Sequence, residues 1–360
     1  MTLQPFFKLI WGAPPATLPD PPKKILLLRV GAMGDVIMTT PTIDAIKQKY
    51  PDAALDFACG EWSASILPNN PSLSRVIPFP DSWVFEKRLF KMRLFAKKLG
   101  RNGYEMGIFF DKSWHWSMFA AQTDIPYRIG FDRDGEGFGY HAKIPYSADK
   151  PEYISNLTLA QAAGCAMPQT IAYSLFPSDE DTENARAFLQ KYHLKSFIGI
   201  APGGANNPGH IFHEKRWKAE RYVEIIKSLS ASHPIILFGG NDDKALCDDI
   251  IHKSVHSVVS CAGALTALES VALMQHAKLF VTHDSGAMHM ASAAGCPVPA
   301  LFGPTPPTRF APPKVYTIYP YGGSKPCYDA LGTMKNCTHA GRCMDAVTVE
   351  AVLAKIREIL

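Results

Sequence analysis

The chain has 360 residues, 47% hydrophobic and 19% charged, an ordinary globular composition that is long for a single hydrophobic core and therefore favours two domains. Its formal net charge of +4, from 37 basic and 33 acidic side chains, is too mild for a general nucleic-acid binder. No apolar stretch reaches the roughly 18–20 residues that span a bilayer.

The N-terminal segment carries one short apolar patch, Phe6, Phe7, Leu9, Ile10 and Trp11, but not the apolar stretch of a secretion signal. The expected location is therefore the cytoplasm. The patch reads equally well as a contact with a membrane surface or a neighbouring domain, or as a segment packed on the body. In a reducing compartment the eight cysteines are expected to form no structural disulfides.

Residues 24–30, Lys-Ile-Leu-Leu-Leu-Arg-Val, form an apolar run that ends in Gly31-Ala32-Met33-Gly34. A helical pattern follows from Asp35 to about residue 50. Strand, tight loop and helix in this order open a doubly wound α/β domain. Residues 55–59 and 106–110 read as further buried strands. Between them, residues 84–99 predict one helix in which Lys87, Arg88, Lys91, Arg93, Lys97 and Lys98 interleave with Phe85, Leu89, Phe90, Met92, Leu94 and Phe95. Such a helix can face anionic lipid or a phosphorylated sugar, or be a solvated face.

A polar connector spans residues 177–195, with a helix over 180–192. The domain boundary is placed near residue 178, giving domains 1–178 and 179–360. The opening theme then recurs: residues 197–201 run into Pro202-Gly203-Gly204, a helix covers 219–230, and a strand over 234–238 ends in Gly239-Gly240. Strands over 279–282 and 298–302 flank a helix of small residues. The alternation predicts an α/β protein with two Rossmann-like domains. Ligands of such sheets bind outside the carboxyl ends of the strands, here expected in a cleft between the domains.

Four loops could carry chemistry. Gly31–Asp35 is neither the dinucleotide fingerprint nor a P-loop, since G-x-G-x-x-G and G-K-[ST] are both absent. Asp35 fits either a catalytic carboxylate or a helix-start carboxylate stabilised by the dipole by ~0.3–1 kcal/mol. His283-Asp284-Ser285-Gly286-Ala287-Met288-His289 opens a small-residue helix whose free N–H groups suit a diphosphate. Asp284 there reads as a carboxylate that orients the loop amides, or as part of a Ser/Asp helix cap. Glu214-Lys215-Arg216-Trp217 could neutralise a leaving diphosphate or be a solvated loop. Asp242 and Asp243, after Gly239-Gly240, are placed to meet ribose hydroxyls or to cap the next helix.

Together these stretches resemble the family-9 glycosyltransferases, the bacterial lipopolysaccharide heptosyltransferases. The matching segments, in family order, are ILLLRVGAMGDVIMTTPTIDAIKQKYP, RIGFDRDGEGFG, IGIAPGGA with EKRWKAERY, LFGGNDD, and VTHDSGAMHMASAAGCPVPALFGPTPPTRFAP. They span most of residues 24–313. The resemblance implies a GT-B fold, with the acceptor held mainly by the N-terminal domain and the sugar nucleotide mainly by the C-terminal one. It implies inverting transfer of heptose from an ADP-sugar donor to an anionic lipopolysaccharide-core acceptor, possible contact with the inner membrane, and neither cofactor nor catalytic divalent metal.

Carried onto this chain, Asp35 matches the family's general base, and Lys215 the basic residue that contacts the donor diphosphate. The expected substrate- and nucleotide-binding set comprises Gly31, Met33, Gly34, Gly203, Gly204, Gly240, Asp242, Asp243, Asp284, Ser285, Gly286, Met288 and His289. Asp132-Arg133-Asp134 lies in the family's R-I-G-F loop and is not read as a metal-binding D-x-D. Cys327, Cys337, Cys343 and His339 could in principle hold zinc or iron, but their spacing is not a standard pattern and no metal is expected. The last helix, residues 348–360, is expected to pack back towards the N-terminal domain. The alternatives are a related transferase with another sugar nucleotide or acceptor, and a non-catalytic nucleotide-sugar-binding protein.

Overall fold

The computed structural model describes residues 12–14, 16–207, 210–254, 258–320, 327–328 and 342–360. The apolar patch at residues 6–11, Cys337 and His339 lie outside them. The chain divides into two compact units, Met1–Ile171 and Ala172–Leu360.

The first unit is built on six parallel strands: β1 (Lys24–Leu28), β2 (Ala54–Gly60), β3 (Arg75–Phe79), β4 (Met106–Phe109), β5 (Tyr127–Asp132) and β6 (Ala142–Pro145). Their order is β3-β2-β1-β4-β5-β6. The order reverses between β1 and β4, which pair in register from Ile25↔Met106 to Leu28↔Phe109. Beyond Lys24, β1 is apolar because helices cover both faces of the sheet; Ile25 to Leu28 are fully buried. One face packs Leu26 and Leu28 with Phe109, Phe119 and Tyr140.

The second unit repeats the plan. β7 (Phe197–Ala201), β10 (Ile235–Leu237), β11 (Val258–Ser260), β12 (Ala277–His283), β13 (Pro299–Leu301) and β14 (Tyr316–Ile318) are ordered β11-β10-β7-β12-β13-β14. A two-residue hairpin, β8 (Asn206–Asn207) with β9 (His210–Ile211), stands apart. The order reverses between β7 and β12, whose register closes at Ala201↔Thr282. Ile198, Ile200, Tyr222, Ile226, Val281 and Leu301 fill one face of this core. The helix Val349–Ile359 joins it through Val352 and Ile356. Its apolar face is thus buried in the core of the second unit.

Two expected helices are broken. The pattern after Gly34 divides into Met33–Ile37 and Thr40–Lys49, with Pro41 in the first turn of the second helix. The 84–99 pattern divides into Ser82–Phe85 and Leu89–Gly100, because Lys87 takes a left-handed φ of 53° that no helix interior accommodates. The R-I-G-F segment is not a loop but strand β5; Gly130 leaves room there for the Tyr140 ring, which a Cβ would meet at 2.4 Å. Among the described residues, no helix is long and apolar enough to cross a membrane.

Candidate active site at the two switch points

In each unit the strand order reverses beside the first strand, and the loops leaving the two flanking strands meet there. This is where open α/β sheets bind ligands. Most candidate residues fall at these two places; Gly240, Asp242 and Asp243 follow β10, the strand beside β7.

In the N-terminal unit the loop after β1 carries Arg29 to Ala32, and the loop after β4 carries Asp111. Asp35 sits in the first turn of the Met33–Ile37 helix. Its Oδ1 accepts from an Arg29 guanidinium nitrogen at 2.7 Å and its Oδ2 from the Ala32 N–H at 3.1 Å. It is therefore both a helix-start carboxylate and a held one, with its side chain 29% exposed. Gly31 is needed for this approach: a Cβ would meet Asp35 Oδ2 at 2.7 Å. Gly31 also accepts from Ser63 Oγ at 3.1 Å. Gly34 is buried and Met33 half-buried beside Asp35.

Arg29 and Asp111 were missed by the motif reading. Arg29 is buried, donates to Phe110 O at 3.0 Å, and pairs with Asp111 at 3.4 Å. Asp111 also accepts from the Val30 N–H at 2.7 Å. Burial pushes the Asp111 carboxyl up to about 6, against the pull of Arg29 and the Val30 N–H. Burial also works against the Arg29 charge, but Asp35 and Asp111 outweigh it and hold the guanidinium protonated. The available signal was a basic residue ending one buried strand and an acidic residue just beyond another. Behind them Lys112 pairs with Glu152 at 2.6 Å, and burial brings the Lys112 ammonium down to about 8.

In the C-terminal unit, Lys215 in the turn His213–Lys215 and Asp284 after β12 form a buried ion pair of 2.9 Å across 69 positions of sequence. Burial pushes the Asp284 carboxyl up, but Lys215 outweighs it and holds it below its usual range. Asp284 thus takes the lysine rather than the loop amides. Lys215 Nζ also lies over the rings of Phe212, Tyr328 and Phe310, 5.2, 5.4 and 5.8 Å from their centroids. Ser285 precedes the helix Gly286–Ala293, and its side chain makes no capping bond, so the simple cap reading fails at both Asp284 and Ser285.

Gly204, at φ +88°, brings the loop after β7 against Ser285, whose Cβ would be 3.4 Å from a Cβ added there. Asp243 fixes that loop: it accepts from the Gly204 N–H at 2.8 Å and the Gly240 N–H at 3.0 Å, and a Cβ on Gly203 would collide with it. Of the two acidic residues only Asp242 is exposed; Asp243 is buried in tying loops together. Met288 and His289 are also buried, His289 against the Tyr173 ring at 5.8 Å, and Met288 is a packing residue. His283 is buried with Nδ1 3.3 Å from Tyr222 Oη, and burial pushes it down to about 3, so it is neutral.

In the C-terminal cysteine group, Cys327 Sγ and Cys343 Sγ lie 3.3 Å apart. Among the described residues, no three His, Cys, Asp or Glu side chains are grouped to hold a metal. Asp132 accepts from the Gly137 N–H at 2.9 Å, a turn contact.

Two Rossmann-like units, one presenting a held carboxylate and the other a basic site at a helix start, define a glycosyltransferase of the GT-B plan. The chain belongs to glycosyltransferase family 9 (heptosyltransferase), whose profile matches residues 92–336. It is 26% identical over 307 residues to lipooligosaccharide heptosyltransferase 2 of Haemophilus ducreyi, covering 81% of this chain and 86% of the relative. Among solved structures it resembles a family-9 glycosyl transferase of Veillonella parvula, with TM-score 0.77, 18% identity, and coverage of 94% of this chain and 97% of that one. It also resembles the Escherichia coli ADP-heptose lps heptosyltransferase II, with TM-score 0.72, 21% identity, and coverage of 93% and 98%.

Proposed function

We propose that the protein transfers heptose from ADP-heptose to a lipopolysaccharide inner-core acceptor, with inversion at the anomeric carbon. The observation that carries this reading is the Asp35 carboxylate, held by Arg29 and the Ala32 N–H yet still partly open to solvent. Asp35 takes the proton from an acceptor hydroxyl. The freed oxygen forms a bond to the anomeric carbon as the bond from that carbon to the diphosphate breaks, and ADP leaves with the electron pair. General-base assistance of this kind contributes about 10²–10⁴-fold.

Lys215 and the amides at the start of the Gly286–Ala293 helix meet the charge that grows on the diphosphate. Asp284 keeps Lys215 in place, Gly203 and Gly204 line the approach with backbone, and Asp242, next to Gly240, is the carboxylate available to the ribose. In this scheme the side chains and helix start supply the positive charge, and no cofactor or divalent metal has a role. The reaction takes place in the cytoplasm, at the inner-membrane surface that carries the anionic acceptor.

The test is a product assay with ADP-heptose and a panel of truncated lipopolysaccharide acceptors, reading heptosylated product and released ADP. Transfer to one inner-core acceptor is expected. Transfer only from another nucleotide sugar would replace the donor. Tight ADP-heptose binding with no transfer to any acceptor would make the protein a nucleotide-sugar binder.

A further inference from the structure

The basic segment around residues 82–101 has no part in the reaction described above. Its main helix, Leu89–Gly100, buries Phe95, Ala96 and Leu99. Phe95 packs into the body against Phe79, Trp83 and Phe119, with ring centroids 5.0, 6.0 and 6.3 Å away. That contact fixes the rotation of the helix, so Leu89, Phe90 and Leu94 point outward. They are 52%, 73% and 55% exposed, and Phe85, at the end of the preceding short helix, is 46% exposed. Phe90 and Leu94 are one turn apart and form a single ridge. Large apolar side chains grouped this way in water mark a surface that something else covers.

The charge around the ridge says what covers it. Residues 82–101 contain seven basic side chains, Lys87, Arg88, Lys91, Arg93, Lys97, Lys98 and Arg101, against one acidic side chain, Glu86. Arg88 pairs with Glu86, and Lys97 with Asp124. The other five make no ion pair among the described residues. A second copy of the chain meeting this face would set like charges against each other. A ridge of Phe and Leu flanked by lysine and arginine matches a surface with apolar depth and anionic headgroups.

We propose that this face docks on an anionic lipid bilayer, with Leu89, Phe90 and Leu94 entering the headgroup boundary and the basic side chains lying on lipid phosphates. The inference rests on the reading of the acceptor as a membrane-held glycolipid, and it identifies the surface that brings the enzyme to it.

The full chain is mixed with sedimentable vesicles of phosphatidylcholine alone or with phosphatidylglycerol, without donor or acceptor. Binding to the anionic vesicles is expected to be at least about tenfold tighter than to neutral ones and to weaken with salt. Two double variants, Phe90→Ser with Leu94→Ser, and Lys91→Glu with Lys98→Glu, should each lose about tenfold or more in vesicle binding. Both should keep wild-type melting temperature, ADP affinity and turnover on a deacylated acceptor. Equal binding to neutral and anionic vesicles, unchanged binding in both variants, or self-association that the Phe90 variant abolishes would overturn the proposal. Vesicle binding is read without catalysis, so intact binding with failed heptose transfer counts against the proposed reaction alone.

Discussion

Arg29 and Asp35 are joined by a 2.7 Å ion pair in which the arginine side chain is 8% exposed and the carboxylate 29%. The buried partner is itself anchored by Asp111 and by Phe110 O. One guanidinium fork therefore spans the loops after β1 and β4 and sets the direction of the carboxylate. Arg29→Lys keeps the charge but not the fork. We expect a fall in turnover of at least about tenfold, about 1.4 kcal/mol in the barrier, with ADP affinity unchanged. Arg29→Ala should also cost about 3–5 kcal/mol in folding stability, because Asp111 is left buried without its partner. Steady-state kinetics beside denaturant titration separate the two effects, and wild-type turnover in Arg29→Lys would remove Arg29 from the positioning of Asp35.

Asp35→Asn keeps the shape of the side chain and removes the base. Turnover should fall at least about 100-fold while calorimetry with ADP stays close to wild type, and the unfolding midpoint should drop because buried Arg29 loses one of its two carboxylate partners. Normal turnover with a verified acceptor would take Asp35 out of the mechanism.

Gly31→Ala tests the same carboxylate sterically. The new Cβ would lie 2.7 Å from Asp35 Oδ2, so the side chain must turn away from its donors. Lower kcat, with the KM for the ADP-sugar unchanged, is the expected pattern. An unaltered kcat would show that the carboxylate has slack.

These predictions rest partly on residues that no motif announced. The strands with uninterrupted apolar runs, such as residues 25–28 and 197–201, were legible because both faces of the sheet are covered. β3, β5 and β14 were not. β3 contains Pro78 and lies at a sheet edge, Gly130 interrupts β5, and β14 is a three-residue edge strand. At the site, the glycine loops and Asp35, Lys215 and Asp284 could be picked out, but not which side chains pair. Asp242 and Asp243 look equivalent in sequence; only the loop geometry shows that Asp243 holds two amides and Asp242 is open. Arg29 and Asp111, 82 positions apart, become one feature only when β1 and β4 lie side by side.

Lys215→Ala removes a charge-assisted contact worth about 1.5–3 kcal/mol, so ADP should bind roughly 10–100-fold more weakly, and turnover should fall with it. The variant also leaves Asp284 buried without its cation. In the wild type the depressed Asp284 pKa contributes stability that is present above the unfolded-state value and is lost as pH falls through the folded one. That acid-side loss should be largely absent from the variant's stability profile. Unchanged ADP affinity would make the Lys215 turn a structural feature only.

Asp111 has the opposite sign. Its folded-state pKa is raised, from 3.8 to about 6, so the native state binds the extra proton between these values. The stability it contributes therefore falls as pH rises through this window and levels off above it. Compared with Asp111→Asn, the wild type should lose relative stability between about pH 4 and 6 and then run parallel. Denaturant titrations at a series of pH values test this, and a pH-independent difference would contradict it.

The Lys215–Asp284 pair has a consequence for the end of the catalytic cycle. The lysine rests on an internal anion, which balances its charge and fixes its position. In the proposed reaction an arriving diphosphate would share a cation that already has a counter-ion, and a departing one would hand it back. Product can then leave without exposing an uncompensated buried charge. On the proposed reading the pair gives up some affinity for the diphosphate and eases the release of ADP.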